Sequence, residues 1–506
     1  MKKVLIIPSL LLAVQAIYAQ VPEEALRLSW RTQAGTARNQ AIGGAMGSLG
    51  GDATANIVNP AGLAFFKTSD FVLTPGFQFG KEKNNFRGTN YSGKNDGSTL
   101  IGTSGWVFGG FGYKAKNSFA ITVTKTANFN QRVSYTGQNN MSSFATPLAD
   151  EFAASHLTID QALNSDNISL PTKMALYTYL VDTAAGQVIA RSEGTSMLNQ
   201  EHYSEISGGI TEITLGMGHE LNKKFLLGAS LGIPIVKLDR NTYYRESDAT
   251  GDINEFSFMA FRENFSLRGA GLNLRAGLIY RPQDYLRFGL AIHSPDMMMV
   301  RERYNSGMAA DVENLFSNSY DSVASSEFTS DREIQSRYTN YSPTKIILSG
   351  SYVFREVEDV TKQKGFITAD IEYVNYKWMK FASYDEETSG SKEYYQPFNE
   401  AIDVLYKGAF NFRLGGELKF NTIMARLGFA YYGNPYKDNA DLKASRMNLS
   451  GGLGYRHKGI FIDLTYVHRI NKDVNFPYRV SAPLSNTFAN LKETNGNVLL
   501  TLGFKI

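Results

Sequence analysis

The chain has 506 residues, a formal net charge of +3 at pH 7 and no cysteine. The lack of cysteine excludes a disulfide framework and a lipid-anchored N-terminal cysteine, and no Lys/Arg block supports a nucleic-acid partner. After residue 20 no stretch approaches 18 consecutive apolar residues, so no transmembrane helix is predicted. The 46 glycines, 28 tyrosines and 32 phenylalanines instead indicate many short strands, some of which face lipid.

The first residues have the pattern of an export signal. Lys2 and Lys3 form a basic start, Val4–Val14 is an apolar run, and Ala19 is a small residue suited to a cleavage site. The run is too short to cross a bilayer as a helix. We therefore predict a cleaved signal peptide over residues 1–19; a buried N-terminal helix is the alternative.

The stretch GGAMGSLGGDATANIVNPAGLA is rich in glycine and alanine and lies before the first predicted strand. It lacks the G-x-G spacing and the preceding strand of a dinucleotide fingerprint, and it lacks the lysine of a phosphate-binding loop. Asp52 is predicted to cap one short helix, and Asn59 a second with Pro60 at its first position. Residues 20–68 are therefore predicted to be a compact segment of short helices and turns.

Alternation of apolar and polar residues predicts the strands that follow. The C-terminal VLLTLGFKI has Leu500, Leu502 and Phe504 on one face, with Thr501 and Gly503 between them. Fourteen strands are predicted, with starts near residues 70, 100, 117, 205, 224, 256, 284, 343, 365, 408, 422, 445, 459 and 496.

Short and long connections alternate between these strands. Tight turns are predicted at Lys114–Asn117, Leu221–Lys224, Arg281–Asp284, Lys419–Thr422 and Arg456–Gly459, and long connections near residues 81–98, 136–203, 241–254, 304–341, 385–405, 434–444 and 472–494. Short turns at one end and long loops at the other are typical of outer-membrane barrels, whereas a soluble β-sandwich has no reason to follow this rule. The predicted fold is all-β, a 14-stranded antiparallel transmembrane barrel over residues 69–506.

The connection 136–203 is too long for a plain loop, and its sequence predicts helices. Thr146 can cap a helix with Pro147 at its first position, and a second apolar run covers residues 174–181. Two interpretations remain open for these helices: a lid that gathers ligand, or packing on the rim of the barrel.

The stretch GGDATANIVNPAGLA resembles the N-terminal hatch of the FadL/TodX family of outer-membrane transporters for long-chain fatty acids and other hydrophobic compounds. The motif residues are Gly51, Asp52 and Ala53, followed by Asn59-Pro60-Ala61. The resemblance implies that residues 20–68 form a helical plug in the barrel lumen. It also implies that ligand leaves sideways into the membrane through a break in the third strand.

The third predicted strand has the sequence SFAITVTKTANFNQRVSY. Its alternation places Lys125 on the lipid face near the bilayer centre, where a lysine would cost about 2–4 kcal/mol. We therefore predict a kink or bulge and a lateral gate at Lys125, Asn128, Phe129 and Asn130. A register error, or a lysine that extends to the interface, is the alternative.

A hydrophobic carboxylate needs a cation at one end of an apolar tunnel. The alternation directs several arginines into the barrel, and Arg275, Arg287 and Arg413 are the candidate partners for a ligand carboxylate. No pair of histidines has zinc-ligand spacing and no nucleophile elbow is evident, so no enzyme activity, metal or cofactor is predicted.

The partners expected from the sequence are a fatty acid-like small molecule and outer-membrane lipid, with the protein as a monomer in the outer membrane. The terminal strand resembles the C-terminal signal of outer-membrane barrels, which implies the barrel-assembly machinery as a further partner. Alternatives left open are uptake of haem or aromatic compounds, a FadL-like barrel that serves a secretion system as carrier or anchor, a general porin, and an outer-membrane esterase.

Overall fold

The computed structural model describes residues 22–112, 116–315, 320–329, 333–354, 364–385, 392–437, 442, 444–480, 484 and 486–506. The predicted signal peptide, residues 1–19, lies outside these ranges, as do residues 114 and 115 of the first predicted turn. Within the described ranges, no helix combines the length and apolar composition needed to cross a bilayer.

The described residues form seven α-helices and 23 strands. The helices are α1 Pro22–Ser29, α2 Ala37–Ala41, α3 Ala55–Val58, α4 Ala145–Ser155, α5 Ile159–Leu163, α6 Leu170–Tyr177 and α7 Lys392–Leu405. The strands are β1 Asp70–Leu73, β2 Pro75–Phe86, β3 Thr89–Ile101, β4 Ser104–Phe111, β5 Asn117–Asn128, β6 Gln131–Asn139, β7 Val181–Ala184, β8 Gln187–Ala190, β9 Leu198–Glu220, β10 Phe225–Asp248, β11 Phe258–Gln283, β12 Leu286–His293, β13 Met297–Asp311, β14 Tyr320–Ala324, β15 Ile334–Tyr341, β16 Lys345–Phe354, β17 Gly365–Asn375, β18 Lys380–Ser383, β19 Gly408–Phe420, β20 Ile423–Tyr432, β21 Ser445–His457, β22 Ile460–Asn475 and β23 Ala489–Lys505.

All strands except the β7–β8 hairpin join in one antiparallel sheet that closes on itself. The last strand, β23, pairs with β22 along one edge and with β1 and β2 along the other. Several barrel strands consist of consecutive segments; the second is β3 then β4, and the third is β5 then β6. The result is a closed barrel of fourteen strands, which confirms the predicted fold.

The predicted long connection at residues 81–98 is wrong. β2 and β3 form a continuous hairpin there, from Gly80↔Asn95 to Phe86↔Thr89. The hairpin turns at Arg87 and Gly88, whose φ angles of 47° and 87° suit a tight two-residue turn. The hairpin extends beyond the apolar band, where outward residues such as Lys81 are polar, so apolar alternation did not reveal it. For the same reason β9, β15 and β23 begin seven to nine residues before their predicted starts.

The outward face of the barrel carries an apolar band. On β10, for example, Leu227 and Ile235 are exposed, whereas Leu226 and Val236 are buried. This alternation follows from the pleat of a strand, which directs successive side chains to opposite faces. The band ends on β10 between Ile235 and Lys237, and the long connections lie beyond it at what we call the outer end.

The N-terminal segment, residues 22–68, contacts strands on different sides of the barrel. Ala37 donates its backbone N–H to Thr501 Oγ1 on β23 at 2.8 Å. Met46 donates its N–H to the Asp370 carboxylate on β17 at 3.1 Å. Because the side chains of Thr501 and Asp370 are both buried and face inward, the segment lies in the lumen.

Glycines in the barrel wall make room for this segment. Substitution by alanine would place a Cβ 1.9–2.2 Å from an atom of the N-terminal segment at six wall positions. They are Gly216, Gly228, Gly277, Gly289, Gly415 and Gly428. Such distances are below any real Cβ contact, so the segment touches the wall where the wall has no side chains.

Towards the outer end the lumen is filled by apolar side chains, which we call the outer chamber. Leu26 and Leu28 of α1 and Trp30 after it are buried there, together with Phe398 and Ile402 of α7. The wall contributes buried aromatic residues to the same cluster, among them Phe265, Tyr304, Tyr338 and Phe381. The outer chamber is therefore occupied by two helices of the chain itself.

Candidate functional site

The second and third barrel strands are only partly paired. The β4–β5 ladder ends at Ser104↔Val123. Beyond that pair β3 continues its ladder with β2, and β6 pairs with β9. Among the described residues no ladder joins β3 to β5 or β6, and we call this unpaired boundary the seam.

The third barrel strand is irregular where it borders the seam. Its ladder with β9 shifts register between Lys125 and Ala127, as a β-bulge does. After β5 ends, Phe129 donates its N–H to the Gly208 carbonyl at 3.1 Å. Asn130 Oδ1 accepts the Gly208 N–H at 2.8 Å. All four residues of the predicted gate lie at or beside this irregular stretch.

Lys125 does not lie at the bilayer centre, so the predicted depth is wrong. Lys125 pairs with Thr211, and Thr211 pairs with Ile235. Ile235 is the last apolar outward residue on β10 before Lys237. Lys125 is therefore at the outer edge of the apolar band. The prediction failed because depth was counted from an assumed strand start.

Side chains, not backbone ladders, bridge the seam. Asn128 Nδ2 donates to Ser98 Oγ at 2.9 Å. Arg132 pairs with Asp96 at 2.5 Å, and its backbone N–H donates to Asn95 Oδ1 at 3.4 Å. These contacts depend on rotatable side chains, so they can break without disturbing the backbone pairing on either side.

A cavity of about 130 Å³ lies behind the seam. Ile101 and Phe129 line it at the seam, Trp30 lines it from the N-terminal segment, and Arg446 and Arg469 line it from β21 and β22. Arg446 donates to the Trp30 carbonyl and stacks over its ring at 4.0 Å from the centroid. The cavity thus joins the seam to a cationic wall of the lumen.

None of the three arginines predicted to bind a ligand carboxylate lines this cavity. Arg275 forms an ion pair with the buried Glu212 at 2.6 Å. Arg413 pairs with Glu372 at 3.2 Å, and Arg287 donates to the Leu49 carbonyl at 3.0 Å. Buried charges of this kind are held by partners within the protein, which is their usual arrangement in a barrel lumen.

Of the cationic residues that line the cavity, Arg469 was predicted from sequence to face the lumen and Arg446 was not. Arg469 faces the lumen as the alternation of β22 predicts, but nothing singled it out from other inward arginines. Arg446 was missed, although Asn448 and Ser450 on β21 are buried and share its face. That alternation was the available signal.

The motif residues of the N-terminal segment hold its turns together. Asn59 Oδ1 accepts the Ala61 N–H at 3.1 Å, which caps a 3₁₀ helix over Pro60–Phe65 with proline at its start. Asn59 Nδ2 donates to the Gly47 carbonyl at 2.6 Å. The Asn59 cap is therefore where sequence predicted it, although its helix is 3₁₀ and not α. The predicted Asp52 cap is wrong, because α3 begins at Ala55 and its N-cap residue is Thr54.

Asp52 has a related role in the same segment. Its carboxylate accepts the Thr54 N–H at 2.9 Å and the Thr36 hydroxyl at 2.8 Å, which ties two turns to each other. Gly51 has a φ of 65°, a conformation that glycine adopts without strain. Asp52 and Gly51 are therefore explained by the turns that they stabilise, without a phosphate-binding role.

The long connection between β6 and β9 covers part of the outer end. Helices α4 and α6 pack in an apolar cluster that includes Phe152, Met174 and Phe261. Beneath them the buried Glu246 accepts hydrogen bonds from Phe144 N and from Gln200 Nε2 at 2.8 and 2.7 Å. The connection is thus fastened to the strands.

The β22–β23 connection takes part in the same cover. Burial raises the pKa of Tyr478 to about 12, so its hydroxyl stays protonated and donates to the Ser142 carbonyl at 2.8 Å. Arg479 pairs with Glu23 at the start of the N-terminal segment. Burial works to raise the pKa of Glu23, but the Arg479 guanidinium outweighs it and holds the pKa below its ordinary value. Loop, helix and lumen segment are therefore linked.

No protein-family model matches the chain, and no curated protein matches it by sequence. Solved structures do match. A Pseudomonas aeruginosa FadL homologue aligns with 94% of this chain and 99% of its own, at a TM-score of 0.57 and 14% identity. The Pseudomonas putida toluene transporter TodX aligns over 94% and 99%, at a TM-score of 0.54 and 14% identity.

A third solved structure agrees. The Ralstonia pickettii toluene transporter TbuX aligns over 94% of this chain and all of its own, at a TM-score of 0.51 and 12% identity. Matches that cover both chains almost completely at such low identity establish a common architecture. The chain therefore has the fold of the FadL homologue and of the toluene transporters TodX and TbuX.

Proposed function

We propose that this protein carries hydrophobic small molecules across the outer membrane and releases them sideways through the seam. The observation that supports this most directly is the loss of backbone pairing between β3 and the third barrel strand in front of a lumenal cavity. The fold shared with a FadL homologue and two toluene transporters is consistent with such a role. Residues 1–19 are the proposed export signal, and residues 20–68 the proposed plug.

The position of the seam also supports lateral release. Unpaired backbone groups are costly within the hydrocarbon core, because no water is available there to bind them. On the third strand the seam begins at Val123, the last apolar outward residue before Lys125, and on β3 it includes the exposed Ile101, so it runs from the apolar band towards the outer end. A ligand that passes there enters the outer leaflet without crossing the water outside the protein.

A disulfide across the seam tests this proposal. Ser98→Cys with Asn128→Cys replaces two side chains that already touch, in a chain with no native cysteine. When oxidised, the pair should reduce uptake of toluene or palmitate about tenfold or more, and reduction should restore it. The matched control is Ser104→Cys with Val123→Cys, which joins residues already paired in the β4–β5 ladder. Equal uptake by the oxidised seam pair and the control would contradict lateral release.

The size and charge of the cavity bear on the ligand. A cavity of about 150 Å³ can hold a benzene molecule, so the 130 Å³ observed here suits one aromatic ring or part of an alkyl chain. We propose Lys125, Arg446 and Arg469 as the groups that receive a ligand carboxylate, in place of the arginines predicted from sequence. Fatty acid-like and neutral aromatic ligands then differ in their need for these cations.

Comparison of palmitate and toluene uptake separates the two ligand classes. Arg446→Gln with Arg469→Gln should lower palmitate uptake about tenfold and leave toluene uptake nearly unchanged, because only the acid loses a charged partner. Arg245→Gln with Arg262→Gln, on the outward face beyond the apolar band, is the charge-matched control. Loss of both ligands to the same extent would show that the arginines maintain the structure and do not select the ligand.

A further inference from the structure

Four cations form a row across neighbouring strands on the outward face of the barrel. Lys237 on β10 pairs with Arg268 on β11, Arg268 pairs with Arg301 on β13, and Arg301 pairs with Arg337 on β15. Residues that face each other in this way lie on the same side of the sheet. With strands about 4.8 Å apart, the row covers about 14 Å. We call these four residues the cation row.

The cation row lies directly above the apolar band. One step towards the membrane on the same strands are Ile235, Ala270 and Met299, which are themselves cross-strand partners. Ile235 and Met299 are exposed on the outward face. Lipid acyl chains end at this level and headgroups begin, so the row is placed at the depth of headgroup phosphates in the outer leaflet.

The chain itself neutralises only part of this charge. Asp239 pairs with Arg268 at 2.6 Å and with Lys237 at 3.9 Å. Within the described residues Arg301 and Arg337 have no carboxylate within ion-pair distance, and one step further out Arg303 adds another cation, paired at 3.6 Å with Glu333.

Like charges that face each other across strands destabilise a sheet unless an anion lies between them. Asp239 provides that anion at one end of the cation row. Beside Arg301 and Arg337 the described protein provides none, so the charge there calls for an anion from outside the chain.

We propose that the cation row binds the phosphate headgroup of an outer-leaflet lipid, with the acyl chains lying against the apolar residues beneath it. Arginine is suited to this partner because its planar guanidinium can donate two parallel hydrogen bonds to one phosphate. The row would hold one or two such lipids to this sector of the barrel. The inference depends on the barrel lying in the outer membrane and not on what passes through its lumen.

Native mass spectrometry of the full-length protein, exchanged into detergent with defined lipids, tests the inference. Phosphatidic acid and phosphatidylcholine with the same acyl chains are the probes, and the wild type should retain phosphatidic acid about tenfold better. Lys237→Gln, Arg268→Gln, Arg301→Gln and Arg337→Gln together should remove most of this preference. The control loses four cations at the opposite end of the barrel: Lys116→Gln, Lys223→Gln, Lys224→Gln and Lys458→Gln.

Three outcomes would overturn the proposal: no headgroup preference in the wild type, an unchanged preference in the cation-row variant, or an equal loss in the control. If the fourfold variant fails to fold, Arg301→Gln and Arg337→Gln are measured separately, and each should lower the preference severalfold. Palmitate is a third probe, which tests whether the row recognises phosphate or any negative charge. The wild type should retain this carboxylate less well than phosphatidic acid with acyl chains of the same length. Toluene uptake measured in parallel should be unchanged, so failure here is distinguishable from failure of the uptake proposal.

Discussion

Neighbouring strands are held together differently at the β10–β11 boundary and at the seam. β10 and β11 face each other from Phe225↔Tyr280 to Ser247↔Phe258, far beyond the apolar band. At the seam, backbone pairing stops at Ser104↔Val123, and side chains such as Asn128 and Ser98 take over. Backbone pairing thus runs along almost the whole β10–β11 boundary, with a gap at Ile233 and Pro234, whereas side chains replace it at the seam beyond Ser104↔Val123.

The largest effect is expected from breaking a buried ion pair between β9 and β11 on the lumenal face of the barrel. Glu212→Gln removes the partner of the buried Arg275 and leaves its charge uncompensated. Loss of one member of a buried pair costs about 3–5 kcal/mol. Urea unfolding followed by tryptophan fluorescence measures this loss. Glu205→Gln, on the outward face of the same strand, should cost less than about 1 kcal/mol, and similar losses in the two variants would contradict the burial argument.

A smaller loss of stability is expected at the contact between β10 and the N-terminal segment. Gly228→Ala places a Cβ 2.2 Å from the Pro60 backbone, so the segment must shift at a cost of about 1–3 kcal/mol. Single-channel conductance in planar bilayers should show more frequent openings to small ions. Gly350→Ala is the control, because its Cβ would meet only Phe288, at 4.0 Å. If neither variant shows more openings than the wild type, close packing of the segment against the wall is not what closes the lumen to ions.

At the seam itself, backbone conformation is the feature to test. Gly208 has a φ of 113°, and its N–H and C=O both bond to the irregular stretch of the third strand. Gly208→Ala forces a side chain into this conformation and should destabilise the protein by about 1–3 kcal/mol. Ser207→Ala, one residue earlier, should be nearly neutral in the same unfolding measurement. A neutral Gly208→Ala would mean that the irregular stretch relaxes freely.

The smallest effect concerns the ion pair between Glu23 and Arg479 at the outer end. Arg479→Gln should cost about 0.2–1 kcal/mol, because both side chains are partly exposed. Because the folded pKa of Glu23 is lowered, the stabilisation is present at neutral pH. It is lost as the pH falls through that lowered value, below the ordinary 4.5. The variant should therefore lose less stability on acidification than the wild type, and parallel pH profiles would contradict this linkage.

Sequence predicted the lipid-spanning parts of the strands better than their full lengths. Alternation detects a strand only while one face is apolar, so the starts at Asp70, Asn117 and Phe225 were found within a residue or two. The outer half of the β2–β3 hairpin was taken for a loop because Lys81 and Lys83 face outward there. Beyond the membrane, both faces of a strand can be polar, and the pattern that identifies it disappears.

The candidate site shows a related limit. The irregular stretch was located from one cation, Lys125, although its predicted depth was wrong and the structure places it at the outer edge of the apolar band. The partners of Arg275 and Arg413 could not be located, because alternation tells which way a side chain points but not which carboxylate lies beside it. The cavity lined by Arg446 depends on the position that the N-terminal segment takes in the lumen. That position is set by contacts between residues far apart in sequence.

The two helices in the outer chamber have a consequence for how strongly any ligand can bind there. Because Leu26, Leu28 and Trp30 already cover the apolar wall, a ligand gains only the difference between its own contacts and those it displaces. α1 is a competitor tethered within the same molecule, at an effective concentration on the order of millimolar. Entry into this chamber is thus an exchange reaction, and its apparent affinity is set as much by residues 22–30 as by the ligand.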